Sequence, residues 1–430
     1  MNNIVYVKSF VLRRDSFNAI VGQCVPGTIA VVRPEKALIN LFRSLIHKMI
    51  VEKQPATAEI NEVKAYLDAV STNPVYTEKK EEFIAYVEDY LRKATSYSVP
   101  VVSVEDYILS QCANLCAQAV AYSANVEVID GRDLVVCHQE GGVPVFDWAA
   151  TNSEIIVKCN NKSNLVISGG YARTPQGMVV AVGKGGANMM ASLVASALKA
   201  EVIEFYVEGE GINGIASMTY DEAAHYCAAK SAPFPSAALW PAKKAGIPIV
   251  VKGILHPDFP GTEISASADV PATTKTVSGM VVDKDLNLVT VYGTGLFGQV
   301  GASSAIFSAL AREGVNIRFI SQTSSEYAIS FAVNDKDSEK VRAIVNDITA
   351  NNPLTSLDDI MVVNREVCIL TIYGSRMKNV PGVSGKLFSL LGEAGANVIA
   401  ASQSGEELSI SIVLDASDLD KALKALSVLC

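Results

Sequence analysis

The carboxyl-terminal third of the chain contains an internal repeat, and this repeat constrains the fold more than any other feature. Segment 300–341 matches segment 381–422 at a constant offset of 81 residues without a gap. Two copies are too few for a solenoid, so the repeat indicates a duplicated small domain. The matched pairs are Phe307 with Phe388, Gly314 with Gly395, Asn316 with Asn397, and Gln322 with Gln403.

Both copies predict the same order of elements, β-α-β-β-α-β, which is a ferredoxin-like plan. Apolar residues at helical spacing define the first helix of each copy, and a glycine follows it as a C-cap. The predicted pieces are strands at Leu288–Tyr292 and Val367–Tyr373, helices around Ile306, Phe307 and Leu310 or Leu387, Phe388 and Leu391, caps at Gly314 and Gly395, later strands at Ala328–Val333 and Leu408–Leu414, and second helices starting at 335–337 and 417–418.

Residues 1–265 have a different pattern, in which short apolar strands alternate with Ala-rich helices. This pattern is typical of a mostly parallel sheet with helices on both faces. The clearest pieces are Leu165–Ser168, Ala191–Leu198, Val202–Val207, Glu222–Ala229 and Ile247–Val251. Residues 56–95 predict charged helices with a solvated face. The predicted domains are therefore 1–265, 286–350 and 365–430, with a linker at 266–285 that could add a strand to one small domain.

Composition narrows the classes of function. The 430 residues carry a net charge of −9 and are 49% apolar and 19% charged, which excludes intrinsic disorder and disfavours nucleic-acid binding. No apolar run reaches the roughly 18 residues of a membrane span, and the first residues do not resemble a signal peptide. Eight scattered cysteines predict a cytoplasmic protein with reduced thiols, and Cys112 and Cys116, although a helical turn apart, favour core packing over metal binding.

The strongest local motif is a Gly-rich turn at 182–188, which reads Val-Gly-Lys-Gly-Gly-Ala-Asn. It follows a predicted strand at Met178–Val182 and precedes an Ala-rich helix. Such a turn exposes backbone N–H groups at the positive end of a helix, where a phosphate can bind. Many Gly-rich turns of this type bind nothing, so the motif alone leaves both interpretations open.

The turn, its flanks and the repeats together resemble the aspartokinase family of the amino-acid kinase superfamily. That family has Leu-Gly-Arg-Gly-Gly-Ser-Asp at the turn. Further matches are Asp221-Glu222-Ala223-Ala224, Ala229-Lys230, Ala245-Gly246-Ile247-Pro248-Ile249 and Pro260-Gly261-Thr262. The two repeats resemble the family's tandem ACT domains, one of which family members build from discontinuous pieces. The resemblance covers about 160–430 well and is nearly absent over 30–95.

The resemblance implies a fold and a chemistry. The fold is an α/β, three-layer αβα kinase-like domain followed by two ferredoxin-like ACT domains. The chemistry is transfer of the ATP γ-phosphoryl group to the β-carboxylate of aspartate, with ATP and Mg²⁺ required if the site is functional. By position, the catalytic candidates are Lys8, Lys184, Asn188 and Lys230, and the nucleotide-binding candidates are Gly185, Gly186, Glu208, Gly211 and Lys230. No residues suggest a resident metal site.

Several family motifs are altered in this chain. In the family, a phosphate-contacting lysine is followed by a Phe-Gly-Gly-Thr-Ser phosphate cradle, and Lys8, at the end of the first predicted strand, matches that lysine. The corresponding loop here, Ser9–Arg14, contains no glycine, and we expect its bulky side chains to block close backbone approach to a phosphate. Asn188 replaces an aspartate, and Ala113 replaces the glutamate that receives the substrate amino group. About ten residues of the nucleotide segment are missing after Asn213. These losses affect the nucleotide, phosphoryl and amino-acid sites alike.

The ACT repeats keep the family pattern better. The resemblance implies an amino-acid effector, lysine or threonine, held by a backbone-rich loop and an amide side chain. The loops concerned are 295–301 and 377–384, and the effector-site candidates are Asn316, Ile317, Gln322, Met377, Gly382, Val383, Asn397, Val398 and Gln403. ACT domains also imply a homodimer, or a complex with a catalytic aspartokinase paralogue. Asn316 and Gln322 could instead only stabilise turns.

Three functional hypotheses remain open from the sequence. The first is a catalytically impaired aspartokinase homologue that regulates the biosynthesis of aspartate-derived amino acids. The second is an active aspartate kinase that uses Lys8, Lys184, Lys230 and Glu208 in an altered pocket. The third is a kinase for another small acid, since Ala113 and Lys184 change the amino-acid clamp.

Overall fold

In the structure, a computed structural model, the chain forms two compact units. The first comprises Met1–Ala224 and Pro233–Pro271, and the second comprises His225–Ala232 and Ala272–Cys430. The described residues are 5–97, 99–140, 143–162, 164–183, 185–208, 211–212, 215–229, 232–256, 259–266, 276–292, 301–322, 328–350 and 361–429.

The chain up to Ser265 alternates strands and helices. In order these are β1 (Tyr6–Leu12), α1 (Phe17–Gly22), β2 (Thr28–Pro34), α2 (Lys36–Ile46), α3 (Thr57–Asp68), α4 (Pro74–Tyr97), α5 (Val101–Ala124), β3 (Glu127–Ile129), β4 (Cys137–Glu140), β5 (Val143–Phe146), α6 (Trp148–Cys159), β6 (Asn164–Ser168), β7 (Tyr171–Arg173), β8 (Val179–Ala181), α7 (Gly186–Leu198), β9 (Val202–Val207), β10 (Ser217–Thr219), α8 (Tyr220–Cys227), α9 (Leu239–Ala245), β11 (Ile249–Gly253) and β12 (Thr262–Ser265).

Eight of these strands form one sheet in the order β10-β12-β11-β9-β1-β2-β6-β3. All neighbours pair in parallel except β11 and β12, which are antiparallel. The central strands β1 and β2 are buried on both faces, as a parallel sheet covered by helices on both sides requires. The predicted parallel αβα architecture is confirmed.

The structure differs from the sequence expectation at two points. The stretch after Lys8 does not form a loop, because β1 continues in register with β2 as far as Leu12, which pairs with Pro34. Bulky residues such as Phe10 favour this extended backbone. The predicted strand at Met178–Val182 is shortened to β8, which pairs with β7 in a separate hairpin and not in the large sheet.

The charged segment 56–95 is helical, as predicted. Helices α4 and α5 pack against each other through one apolar side of α4, which buries Tyr76, Ile84, Val87 and Leu91. Lys80 is the exception on that side: its side chain is buried, and its ammonium pairs with Asp68 and Glu81. The remaining charged residues of α4 are mostly exposed, so its outer face is solvated.

The second unit repeats its elements twice. In chain order they are β13 (Gly279–Tyr292), α10 (Ala302–Arg312), β14 (Ile317–Gln322), β15 (Ala328–Asn334), α11 (Ser338–Ala350), β16 (Met361–Tyr373), α12 (Val383–Glu393), β17 (Val398–Gln403), β18 (Ser409–Asp415) and α13 (Leu419–Leu426). They form a six-stranded sheet in the order β14-β15-β13-β16-β18-β17. Gly314 and Gly395 follow α10 and α12 with φ near +69° and +68°, which confirms them as C-cap glycines.

The two long strands β13 and β16 each serve both repeats. The second half of β13 pairs with β15, and its first half pairs with the second half of β16, from Gly279 opposite Tyr373 to Asp283 opposite Ile369. A register shift after Asp283, with Asp285 at φ +57°, separates the two halves. The fourth strand of the second repeat therefore precedes the first repeat in the chain and does not follow α13.

Helices cover one face of this sheet. Helices α10 and α11 bury Ile306, Leu310, Val341 and Val345 against the first repeat, whereas α12 and α13 bury Leu387 and Leu391, among others, against the second. Phe388 is instead exposed. The opposite face has its own core, built around Leu288, Phe319 and Ile369, and the edge strands β14 and β17 contact each other.

Candidate functional site

Strands β1, β9 and β11 end at the same edge of the large sheet, where parallel α/β proteins bind ligands. A cavity of about 60 Å³ lies at this edge. Its walls include apolar and charged side chains from the ends of these strands, among them Phe10, Arg13, Tyr206, Glu208 and Leu255.

Lys8 lies inside the sheet next to this edge and is almost fully buried. Its Nζ donates to Gln23 Oε1 at 2.7 Å and lies 3.3 Å from Glu204 Oε2. Lys252 approaches the other oxygen, with 2.5 Å between Lys252 Nζ and Glu204 Oε1. Tyr206 OH donates to Glu204 Oε2 at 3.1 Å. The phosphate-contacting lysine that the resemblance predicts is thus held by protein groups.

Opposing effects act on the ionisation of Glu204. Burial disfavours the carboxylate, but the hydrogen bond from Lys252 and the charge of Lys8 outweigh burial. As a result, the pKa of Glu204 lies below its usual value. Glu204 is therefore an anion at neutral pH and neutralises part of the positive charge beside it.

Aromatic rings occupy the space beyond this charged group. Phe10 and Tyr206 stack with centroids 4.7 Å apart, and Phe10 is only 1% exposed. Arg13 Nη1 lies 3.1 Å from Glu208 Oε1 and also pairs with Asp15. Glu208, a nucleotide-binding candidate, is therefore engaged by a cation of the same chain.

The Gly-rich turn forms the N-terminus of α7, as predicted. Gly183 and Gly185 have positive φ angles, and a Cβ on Gly185 would lie 2.1 Å from Pro235 Cδ. A Cβ on Gly186 would lie 3.0 Å from the Gly170 Cα. The turn therefore packs closely against neighbouring backbone. Asn188, in the first turn of α7, is buried, and Lys184 lies outside the described residues.

Gly211 belongs to a loop that is fixed to β11 and β12. A Cβ at Gly211 would lie 2.9 Å from the Val251 carbonyl oxygen, and one at Gly261 would lie 2.4 Å from the same atom. Thr262 Oγ1 accepts from Ile212 N at 3.3 Å and donates to the Ile215 carbonyl. Gly211 thus has a packing role, while Asn213 and Lys230 lie outside the described residues.

Helix α5 carries the segment where the family has its substrate glutamate. Ala113 is 1% exposed and contributes only a methyl group to the core. Cys112 and Cys116 are buried as predicted, and burial raises the pKa of Cys112. The described residues contain no cluster of three or more metal-ligating side chains.

A buried ion pair beside α5 was not detected from the sequence. Arg132 pairs with Asp130, and its Nη1 donates to Ser110 Oγ at 3.1 Å. Gly131 N donates to Ser168 Oγ at 2.9 Å, which fixes this turn to β6. A charged pair two residues apart in a short turn has no distinctive pattern, so sequence reasoning had no signal for it.

The effector-site candidates occupy equivalent places in the two repeats. Ser303 Oγ donates to Gln322 Oε1 at 3.5 Å, and Ser384 Oγ donates to Gln403 Oε1 at 3.3 Å. Gly301 and Gly382 precede α10 and α12 with φ angles of +96° and +89°. The same glycine, hydroxyl and amide arrangement therefore occurs twice.

The remaining candidates divide into core and surface positions. Met377 is 3% exposed and belongs to the core of the second repeat. The Asn397 backbone N–H donates to Asp418 Oδ2 at 3.0 Å, which ties the start of β17 to the start of α13. The other candidates lie at the starts of elements. Asn316 directly precedes β14, which Ile317 begins, whereas Val383 begins α12 and Val398 begins β17. Residues 295–300 of the first loop lie outside the described residues.

A three-layer αβα unit with a Gly-rich helix start, followed by a double ferredoxin-like unit, is the architecture of an amino-acid-kinase-type fold joined to a pair of ACT-like domains. The family model for the ACT domain matches residues 289–347 and 370–428. A bifunctional aspartokinase/homoserine dehydrogenase of Zea mays is 27% identical over 75% of this chain and 37% of its own length. The aspartokinase of Bacillus sp. (strain MGA3) is 27% identical over 66% of this chain and 71% of its own.

The solved structure of aspartokinase III of E. coli has the same fold, with a TM-score of 0.78 over 99% of both chains at 17% identity. The chain is therefore similar to aspartokinases in sequence over most of its length, and its second unit carries two ACT domains. The chain spans about a third of the length of the first curated relatives. None of the helices in the described part is both long and apolar enough to cross a membrane.

Proposed function

We propose that this protein is a catalytically impaired aspartokinase homologue that regulates through its ACT pair. The observation that carries the proposal lies at the edge of the large sheet, where Phe10 stacks on Tyr206 and Arg13 pairs with Glu208. A nucleotide phosphate at this edge would have to displace the aromatic pair and break the ion pair.

The charges at this edge support the same proposal. Phosphoryl transfer needs cations directed at the transferring group and carboxylates that hold Mg²⁺. Here Lys8 and Lys252 are directed at Glu204, and Glu208 is paired with Arg13. These residues do not fit Mg²⁺–ATP as they stand, so we include no cofactor in the proposal.

Two measurements test the catalytic part. In an aspartyl-hydroxamate assay with ATP and Mg²⁺, we expect no turnover, while an active aspartokinase in parallel gives product. In calorimetry with ATP and Mg²⁺, we expect no heat of binding. Ordinary turnover of aspartate would overturn the proposal and support an active aspartate kinase. Turnover of another small acid in a substrate panel would support the third hypothesis.

The regulatory part predicts an amino-acid effector at the ACT pair. Aspartokinase III of E. coli was solved in complex with lysine and aspartate, and the duplicated Ser303–Gln322 and Ser384–Gln403 arrangement supplies polar groups in this chain. We expect lysine or threonine to give a saturable heat of binding, which Gln322→Ala or Gln403→Ala weakens by about tenfold. Unchanged affinity in both variants would argue against these amides.

The proposal also includes an assembly state and a compartment. ACT pairing implies a homodimer, or a complex with a catalytic aspartokinase paralogue, in the cytoplasm. Light scattering of the isolated protein tests the first arrangement. Co-purification with the paralogue, and a change in the paralogue's inhibition by the effector, test the second.

A further inference from the structure

A cleft on the first unit contains both tryptophans of the chain. Trp148 begins α6 and Trp240 lies in α9, with their ring centroids 5.9 Å apart. Their exposed fractions are 38% and 49%, which is high for such large apolar side chains. The cleft has a volume of about 370 Å³, within the range of small-molecule sites, and Ile155 and Leu193 add to its apolar lining.

A cation at the wall of this cleft has no carboxylate partner among the described residues. The Nζ atom of Lys244 lies 5.2 Å from the centroid of the Trp240 ring, a cation–π contact. The adjacent Lys243, by contrast, pairs with Asp221. Asn152 and Ser196 also line the cleft, and neither side chain makes a hydrogen bond to another described residue. The cleft thus combines aromatic faces with uncommitted polar groups.

The charges of the lining define the class of ligand. Lys244 can neutralise an anion, whereas none of the described residues that line the cleft is an aspartate or glutamate. An amino acid would bring an ammonium group without a carboxylate to receive it. We propose that this cleft binds a planar aromatic carboxylate. Its ring packs on Trp148 and Trp240, and its carboxylate pairs with Lys244. This site is separate from the ACT effector sites and does not depend on the proposed function.

Tryptophan emission of the full chain provides a direct test, because both tryptophans line the cleft. The probes are benzoate, its neutral analogue benzamide, the non-planar cyclohexanecarboxylate, and phenylalanine. We expect benzoate to change the emission saturably. Each of the other three should bind at least about fivefold more weakly. Benzamide lacks the negative charge, cyclohexanecarboxylate lacks the planar ring, and phenylalanine adds an ammonium group. Equal responses to benzoate and cyclohexanecarboxylate would overturn the assignment of a planar ring.

A pair of neighbouring lysines supplies matched variants. Lys244→Met should weaken benzoate binding about tenfold and leave benzamide binding unchanged, whereas Lys243→Met should leave both unchanged. Equal effects of the two variants would overturn the role of Lys244. If benzoate has no effect, and emission and light scattering instead depend on protein concentration, the tryptophans form a contact between copies and the proposal is wrong.

Discussion

At the scale of single residues, Glu204 has the most consequential environment. It lies between Lys8 and Lys252 and also accepts from Tyr206, in a part of the sheet that is largely closed to solvent. Removal of one partner from a buried ion pair is costly, because the remaining charge stays desolvated. Lys8, which is almost fully buried, therefore depends on this carboxylate more than Lys252, whose side chain is 31% exposed.

Glu204→Gln should lower the free energy of unfolding of the first unit by about 3 kcal/mol at pH 7. Since the folded pKa of Glu204 lies below its usual value of 4.5, its ionised form stabilises the fold above that pH. This contribution is lost as the pH falls through the lowered pKa. The difference in the free energy of unfolding between wild type and variant should then become smaller. Urea unfolding followed by tryptophan emission, which reports only on the first unit, measures this.

An exposed ion pair offers the control for this experiment. Glu127 pairs with Lys162, and both side chains are well exposed. Glu127→Gln should change the free energy of unfolding by less than about 0.5 kcal/mol, because exposed pairs contribute little. A comparable loss in both variants would show that burial of Glu204 is not the cause.

A second residue-scale prediction concerns Gly261. Its φ of +82° and the close Val251 carbonyl leave no room for a side chain. Gly261→Ala should cost about 2 kcal/mol or more, since strain and steric overlap act together. Gly246→Ala, with φ +69° and open space around it, should cost less. Similar losses in the two variants would indicate that φ alone matters.

At the scale of elements, local patterns predicted most of the fold. Apolar periodicity located α10 and α12, and the glycines at 314 and 395 marked where these helices end. The apolar pattern did not predict which neighbouring strand each strand pairs with. The short strand β8 pairs with β7 in a local hairpin, and β1 extends past Lys8 along β2, because the apolar pattern of a strand does not specify which strand it pairs with.

The candidate site was predicted less completely than the fold. The sequence identified Lys8 and Glu208 by position, but it could not show that Glu204 and Arg13 engage them. Those partners come from other strands and loops, and a carboxylate or guanidinium has no periodicity that reveals its target. The exposure of Phe388 was likewise missed, because helical spacing alone does not determine how much of the face is covered.

Helix α12 allows a prediction with an internal control. Gly392 and Gly385 are helical and have open space around them, so alanine fits at either position. Gly392→Ala should stabilise the second unit by about 0.5–1 kcal/mol, because glycine loses more backbone entropy on folding. Gly382→Ala, at φ +89°, should destabilise it. Thermal unfolding followed by circular dichroism distinguishes the two, and stabilisation by both variants would contradict the assigned φ.

At the scale of the whole molecule, the second unit is built from two interlocked repeats. The first half of β13 completes the sheet of the second repeat, and the first half of β16 pairs with the second half of β13. Within the described residues, neither repeat builds a four-stranded sheet from its own segment alone, because each takes one strand from outside it. The repeat seen in the sequence therefore does not correspond to two separable structural domains.

This arrangement predicts the behaviour of fragments. A fragment of residues 276–430 retains Gly279–Asp283, whereas one of residues 286–430 lacks it and exposes the edge of β16. We expect the shorter fragment to aggregate or to unfold at a lower temperature, since an unpaired edge strand recruits other chains. Light scattering and circular dichroism test this. Equal stability and solubility of the two fragments would mean that Gly279–Asp283 contributes little.

The shared strands also restrict which segments of the chain recombination can transfer with a complete sheet. The second repeat is a circular permutation of the first, because its last strand is encoded ahead of its first. A recombination event that copied 365–430 into another gene would transfer a sheet with a missing strand. Only the stretch that includes Gly279 and continues through α13 can move as a self-sufficient module. The pair of repeats, and not the single repeat, is therefore the smallest part of this unit that contains all of its own strand pairings.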